Sequence, residues 1–447
     1  MNHTPQTHLH NMQRAILLGF IAVALSLVFW TVIRSGDILA RDDNPRLVEA
    51  ELRIQRGYIL DRNGTILAET VGEPDVLIRN YPFPTIGPAV GYYSFRHGTA
   101  GIEAGFDAVL RGENRDFTAV FNQELLHSPQ IGRDVQLTLD AELQATAEAL
   151  FGDAQGALVV LEIDTGNILV MVSHPGYNPN LLDENFEELV ADESAPLLNR
   201  AVQGQYQPGL VLQPFILAAA LDANRIQLDG AVLNANRPVP INGEVKRCQM
   251  LPPDNPTWAD VLRYRCPGPM QDLADRLGLA GLDDIFLRFG LATPPELPLN
   301  TELPEIEPLN DPLQAGIGQD NLTVSPLQVA VALSALGRDG RLPTPQLVTA
   351  VQDENGIMQP QLLEPSDGDA VTSRAARDIR QLLNIDGTLS FTTSALSGLD
   401  SRNGWYISLT PAEQPVYAVV VVVENSEYLE VAKEIGMGLE TAVNTQK

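Results

Sequence analysis

The chain has 447 residues, and 29 Lys+Arg against 57 Asp+Glu leave a formal net charge of −28. That acidity excludes a general affinity for phosphate backbones and so argues against nucleic-acid binding, and two cysteines exclude a disulfide-rich scaffold or a cysteine-based zinc cluster. A hydrophobic content of 44% is that of a globular chain, here long enough for two or three domains. Lysine occurs only at 246, 433 and 447, and the remaining cations are arginines, which cannot act as bases near neutral pH. Of the six histidines, His3, His8 and His10 lie in the first ten residues, leaving His97, His127 and His174 for the body of the chain. General-base chemistry is short of candidates.

Residues 15–33 read AILLGFIAVALSLVFWTVI, without charge or proline. At roughly 1.5 Å per residue this run spans a hydrocarbon core, and Arg14, Arg34 and Trp30 bracket it as interfacial anchors do. A cleaved signal peptide is the alternative, but its apolar core is usually about 7–15 residues and a small-residue cleavage site follows it, which is absent here. We therefore expect a transmembrane anchor over 14–35, after a short tail (1–13), with nearly all the mass on its C-terminal side. Charge counting does not settle the orientation, since Arg14 precedes the span and Arg34, Arg41 and Arg46 follow it.

After a polar linker, RGYILDRNGTILAET forms two β-prone runs around Asp61-Arg62-Asn63-Gly64, a hairpin signal. With the segment 99–116 it makes a small β-rich module, the whole linker and module covering 36–133. A larger domain (134–447) opens on a strand and a helix whose expected N-cap is Asp140. GALVVLEIDTGNILVMVSHP is a second hairpin, around Asp164-Thr165-Gly166-Asn167. Helical patterns follow at about 210–222, 257–277, 281–289, 324–337 and 371–384. GWYISL and YAVVVVVE are strands, and the five valines at 419–423 predict a central strand buried on both faces. A last amphipathic helix covers about 428–443. Hairpins at both ends of a helical middle predict one sheet with strands from distant parts of the chain, an α+β fold with helices covering the sheet.

These segments resemble class B penicillin-binding proteins, the bitopic transpeptidases of the bacterial cell wall. RGYILDRNGTILAET is similar to the family's R-G-x-I-x-D-R-N-G-x-x-L-A signature, and 91–112 to its G-L-E-x-x-Y-D-x-x-L-x-G segment. Residues 156–180 resemble the first hairpin of the transpeptidase domain. LLNRAVQGQYQPG (197–209) looks like the lead-in to the active-site helix, and 317–336 like the G-Q-x-x-x-x-T-P-L-Q-x-A element. The resemblance runs in order from about residue 56 to the C-terminus. It implies an anchor helix, a small pedestal, and a transpeptidase-like domain with an antiparallel sheet between helices plus a helical subdomain.

The residues that carry the family's chemistry do not follow. The resemblance calls for S-x-x-K after Pro208-Gly209, where a helix-start serine attacks the stem peptide and a lysine at i+3 takes its proton. This chain has Leu210-Val211-Leu212-Gln213, and none of its three lysines follows a serine by three residues. S-x-N is matched by Arg265-Cys266-Pro267. K-T-G-T-A is matched by Phe391-Thr392-Thr393-Ser394-Ala395, whose first residue carries no charge. Loss of a nucleophile or its base typically costs about 10⁶ in kcat. Some class B relatives carry cysteines near Cys248 and Cys266, so a disulfide between them is one expectation and two separate thiols the other.

The reading is a membrane-anchored pseudo-transpeptidase with its main domain outside the cytoplasm and no cofactor or metal. The resemblance implies partners in the envelope, a cell-wall glycosyltransferase first among them, with a scaffolding or regulatory role in division or elongation. Two alternatives stay open: a module that holds peptidoglycan stem peptides non-covalently, and a D,D-transpeptidase with an unrecognised nucleophile.

Overall fold

The computed structural model describes residues 5–29, 53–73, 76–113, 130–241, 243–299, 307–361, 368–398, 401–426 and 429–445. The N-terminal helix runs Pro5–Val28, so it begins well before the apolar run and takes in its first part; residues 30–33 lie outside the described residues. Among the described residues no helix is long and apolar enough to cross a membrane.

The main sheet is antiparallel and six-stranded, in the order Asn384–Ile385, Thr388–Leu396, Arg402–Thr410, Tyr417–Val423, Gly156–Glu162, Ile168–His174. The valine strand is central, as its unbroken apolar run predicts, between Arg402–Thr410 and Gly156–Glu162. Side chains alternate across a strand, so Val419, Val421 and Val423 pack under the C-terminal helix Leu429–Thr445 and the helix Ala141–Phe151. Val420 and Val422 join the opposite core, with the helices Gln213–Asp222 and Pro326–Gly337. Each such side chain, fully removed from water, contributes about 2 kcal/mol. Asp140 caps the Ala141–Phe151 helix as expected, accepting from the Glu142 and Leu143 amides.

A second six-stranded sheet joins distant parts of the chain: Met358–Pro360, Val348–Gln352, Val135–Leu137, Ile59–Leu60, Ile66–Glu73 and Val76–Asn80, in that order. The sequence reading allowed for one such long-range sheet, and there are two. The strands that tie the second together are two to five residues long, too short for periodicity to reveal. Beneath it, Glu103 accepts from Arg56 Nη2 at 2.8 Å, Arg79 Nε at 2.6 Å and Tyr81 OH at 3.2 Å. Glu103 is fully buried, and the two guanidiniums hold its carboxyl below the usual range despite the cost of burial.

The helical pattern at 257–277 is interrupted. Trp258–Arg263 ends in a turn, and a new helix, Pro267–Arg288, starts at a proline. Proline fits the first helical position but disfavours helix at the residue before it. Cys266 is accordingly extended, and Arg265 takes a left-handed φ of 51°. Gly278, with φ 69° and ψ 170°, breaks the second helix where the sequence pattern also breaks.

Candidate functional site

The lead-in to the Gln213–Asp222 helix is fixed from both sides. Arg200 Nε pairs with Glu424 at 2.9 Å, and Tyr206 OH donates to the same carboxylate at 2.7 Å, which ties the segment to the end of the valine strand. The Gly209 amide donates to the Gly318 carbonyl at 2.9 Å. Both glycines have positive φ (56° and 64°), and a Cβ on Gly318 would lie 2.3 Å from the Gly209 carbonyl oxygen. Only glycine at both positions allows this approach. Next to it, Gln319 Oε1 accepts from the Leu396 amide at 3.2 Å. The Pro208-Gly209, Gly318-Gln319 and 391–396 segments, far apart in sequence, are thus hydrogen-bonded or packed into one corner.

A pocket of about 140 Å³ opens at this corner. Four of the seven sequence-derived positions line it: Leu210, Arg265, Pro267 and Thr393. The other three are not among its lining residues. Gln213 is 1% exposed, and its Nε2 donates to the Val261 and Cys266 carbonyls, both at 3.2 Å. It braces the loop that carries Arg265, while Leu210, three residues earlier, lines the pocket. Phe391 is 2% exposed and lies behind the wall, its ring under the Arg265 guanidinium at 4.7 Å. Thr392 is half-buried on the face of its strand that also carries Ser394, and is not among the lining residues.

Cys248 and Cys266 are bonded in a disulfide across 18 residues. It joins the loop after the small hairpin Val239–Ile241/Glu244–Lys246 to the start of the Pro267–Arg288 helix. That brings Lys246 and Arg247 to the pocket, cations that the motif comparison passed over. Their signal was available, as Lys246 is one of only three lysines and is followed directly by Arg247 and Cys248.

The chemistry on offer is limited. Thr393 and Ser394 supply hydroxyls, and Lys246 Nζ is engaged by Glu244 at 3.1 Å. Leu210 presents hydrocarbon at the mouth of the helix. Arg265 is 6% exposed, and burial pulls its guanidinium down to about 10. His174 belongs elsewhere: its Nδ1 lies 2.7 Å from the Ala154 carbonyl, beside a separate cavity that Glu148 shares.

The fold and this corner define a penicillin-binding protein of class B. The chain belongs to the penicillin-binding protein transpeptidase family: residues 156–437, more than half of it, match the penicillin binding protein transpeptidase domain, and residues 56–135 match the penicillin binding protein A dimerisation domain. It is similar to the peptidoglycan D,D-transpeptidase PbpA of Mycobacterium tuberculosis, at 28% identity over 93% of each chain. The peptidoglycan D,D-transpeptidase MrdA of Escherichia coli is 28% identical over 61% of this chain and 48% of its own length. The imipenem acyl-enzyme structure of penicillin-binding protein A from M. tuberculosis superposes with a TM-score of 0.80 at 26% identity, covering 89% of this chain and all of that one.

Proposed function

We propose that this chain is a membrane-anchored, catalytically silent penicillin-binding protein that serves peptidoglycan synthesis as a scaffold or regulator. The observation that carries the reading is the first turn after Pro208-Gly209. Its start bears Leu210, which has no nucleophilic atom, and Gln213, one turn later, spends its amide on two backbone carbonyls. The relatives named above are transpeptidases, so the difference would lie in the site rather than in the fold.

Anchoring rests on the uncharged run at 15–33, whose last four residues lie outside the described ones. Leu17, Leu18, Phe20, Val23 and Leu25 are all exposed, spread around the helix rather than gathered on one face, as a lipid-facing segment requires. The partner would be a cell-wall glycosyltransferase or another envelope assembly protein, met through anchor and pedestal. Covalent labelling tests the silent site. Full-length protein in detergent, incubated with a fluorescent penicillin, should show no adduct by intact-mass measurement; stoichiometric acylation would return the chain to the enzymes. Accessibility of the C-terminus in intact cells tests the topology, and a cytoplasmic C-terminus would overturn it.

A further inference from the structure

A second cavity, of about 520 Å³, lies where the N-terminal β-rich module meets the larger domain. Pro84 and Thr85 line it from the module, Glu148 from the helix Ala141–Phe151, and His174 and Tyr177 from the end of the strand Ile168–His174 and the turn after it. None of its lining residues belongs to the pocket at Leu210. The joint around it is held by hydrogen bonds. Tyr177 OH donates to the Gly87 carbonyl at 3.1 Å and Asn199 Nδ2 to the Pro88 carbonyl at 2.8 Å. Tyr81 and Asn180 exchange two further bonds, both at 2.9 Å.

The carboxylate and the imidazole of this cavity both offer acceptors. Gln144 grips the neighbouring strand through the Met171 amide and carbonyl, both at 2.9 Å, and its Nε2 also donates to Glu148 Oε1 at 2.9 Å. Among the described residues Glu148 Oε2 has no hydrogen-bond partner, and no Lys or Arg lines the cavity. Burial lifts this half-buried carboxyl to about 7, as expected of an acid that meets no cation. His174 Nδ1 lies 2.7 Å from the Ala154 carbonyl, which can only accept, so Nδ1 carries the ring proton. Nε2 of the neutral ring is then an acceptor. The ring plane is fixed by stacking on Phe151, 5.7 Å between centroids at 23°. Asn178 Oδ1 is spent on the Asn180 amide at 2.9 Å. Pro84, Ala145, Ala149, Pro175 and the Tyr177 ring make the rest of the wall largely apolar. Few fixed polar groups in an apolar wall are the usual make-up of a small-molecule site.

We infer that this cavity binds an organic cation that carries N–H donors on an apolar stem, with Glu148 as its counter-charge and His174 Nε2 as a second acceptor. An ammonium or guanidinium supplies donors to both groups, and its stem covers the prolines and alanines. Pairing also relieves a carboxylate that is partly withdrawn from water without a cation. One carboxylate and one imidazole fall short of the ligand set that usually holds a metal ion, and no cluster of three such groups occurs among the described residues. The cation comes either from a free small amine or from the basic side chain of an inserted peptide. In both cases it touches both domains and braces their joint. The inference is independent of the silent-site reading, since it uses no residue of that corner.

Isothermal titration of the full-length protein in detergent tests this, at about pH 8, where the Glu148 carboxyl is ionised. The probes are benzylamine, benzyl alcohol, benzoate and N-acetyl-alanyl-arginyl-alanine amide. Benzylamine should bind at least about tenfold more tightly than benzyl alcohol, which has the same ring without the charge, and benzoate should not bind. A peptide that binds more tightly than benzylamine assigns a basic side chain as the occupant, and the reverse order assigns a free amine. Equal binding of amine and alcohol, tighter binding of benzoate, or no binding of either cation at about 10 mM probe would overturn the inference. Glu148→Gln keeps the side-chain shape and removes the charge, and should weaken the cation at least about tenfold. Because that change also acts on stability, Ala149→Leu, at an exposed position of the lining, is the second variant and should block the cavity by bulk alone. Undiminished cation binding in either variant would place the cation elsewhere and end the assignment.

Discussion

Arg265 rests its guanidinium over the ring of Phe391, 4.7 Å from carbon to centroid, and this contact joins the two positions where the family resemblance calls for a serine and a lysine. A cation lies near the start of the K-T-G-like strand after all, but it belongs to the loop, while the strand supplies the aromatic face. Such a contact is worth about 0.5–2 kcal/mol once water is excluded. Phe391→Leu keeps most of the buried volume and removes the π face, so a loss of about 1–2 kcal/mol in urea unfolding is expected. Phe391→Ala should cost about 3–5 kcal/mol.

The double change Leu210→Ser and Gln213→Lys places a nucleophile and a base one turn apart, yet it should not restore transpeptidation. Gln213 does not face the pocket, and a lysine there would first have to release the Val261 and Cys266 carbonyls. Slow, substoichiometric penicillin labelling is the most that is expected in the double mutant, and none in the parent. Full acylation at normal rates would show that the cleft keeps its catalytic geometry.

The Cys248–Cys266 bond closes a loop of 18 residues, which in the chain-entropy view is worth about 3 kcal/mol. Cys248→Ser with Cys266→Ser should lower the melting temperature by several degrees, and reductant should have the same effect on the parent and none on the double variant. Because the bond holds the Arg265 loop against the hairpin that carries Lys246, hydrogen exchange should rise in both segments together.

Glu103 is shared by two buried guanidiniums, and Arg56 also meets Asp107 at 2.7 Å, so Glu103→Gln strips Arg79 of its carboxylate and should cost about 3–5 kcal/mol. Its carboxyl is held low in the folded chain, hence its contribution is present above the ordinary carboxylate range and disappears as the pH falls through the depressed value. Glu103→Gln should therefore be less stable than the parent near neutral pH, and the difference between the two should narrow as the pH falls through the depressed value.

Glu148 behaves in the opposite sense. Burial raises it to about 7, with only the Gln144 amide, at 2.9 Å, favouring the anion. The folded state favours the protonated form, so stability is highest below the unfolded value near 4.5 and falls as the pH rises toward about 7. The side chain is partly exposed, which limits the change to about 1–2 kcal/mol. Glu148→Gln should flatten this slope in thermal melts taken between pH 5 and 8; an unchanged slope would rule the assignment out.

Local chemistry decided a good deal in advance. The valine strand, the two hairpins with their Asx and glycine turns, the Asp140 cap and the terminal amphipathic helix follow from periodicity and turn residues, which act over a few positions. The missing serine–lysine pair is also a plain property of the sequence, since three lysines can be checked one by one. What the sequence could not decide is which distant groups share a surface. Gln213 and Leu210 are a helical turn apart in sequence, yet one is spent on two loop carbonyls and the other lines the pocket. Arg265 reads as an ordinary helical residue until Pro267 breaks the helix and turns it inward over Phe391. Whether its charge finds a carboxylate depends on every element that packs around it, and among the described residues the assembled fold gives it none.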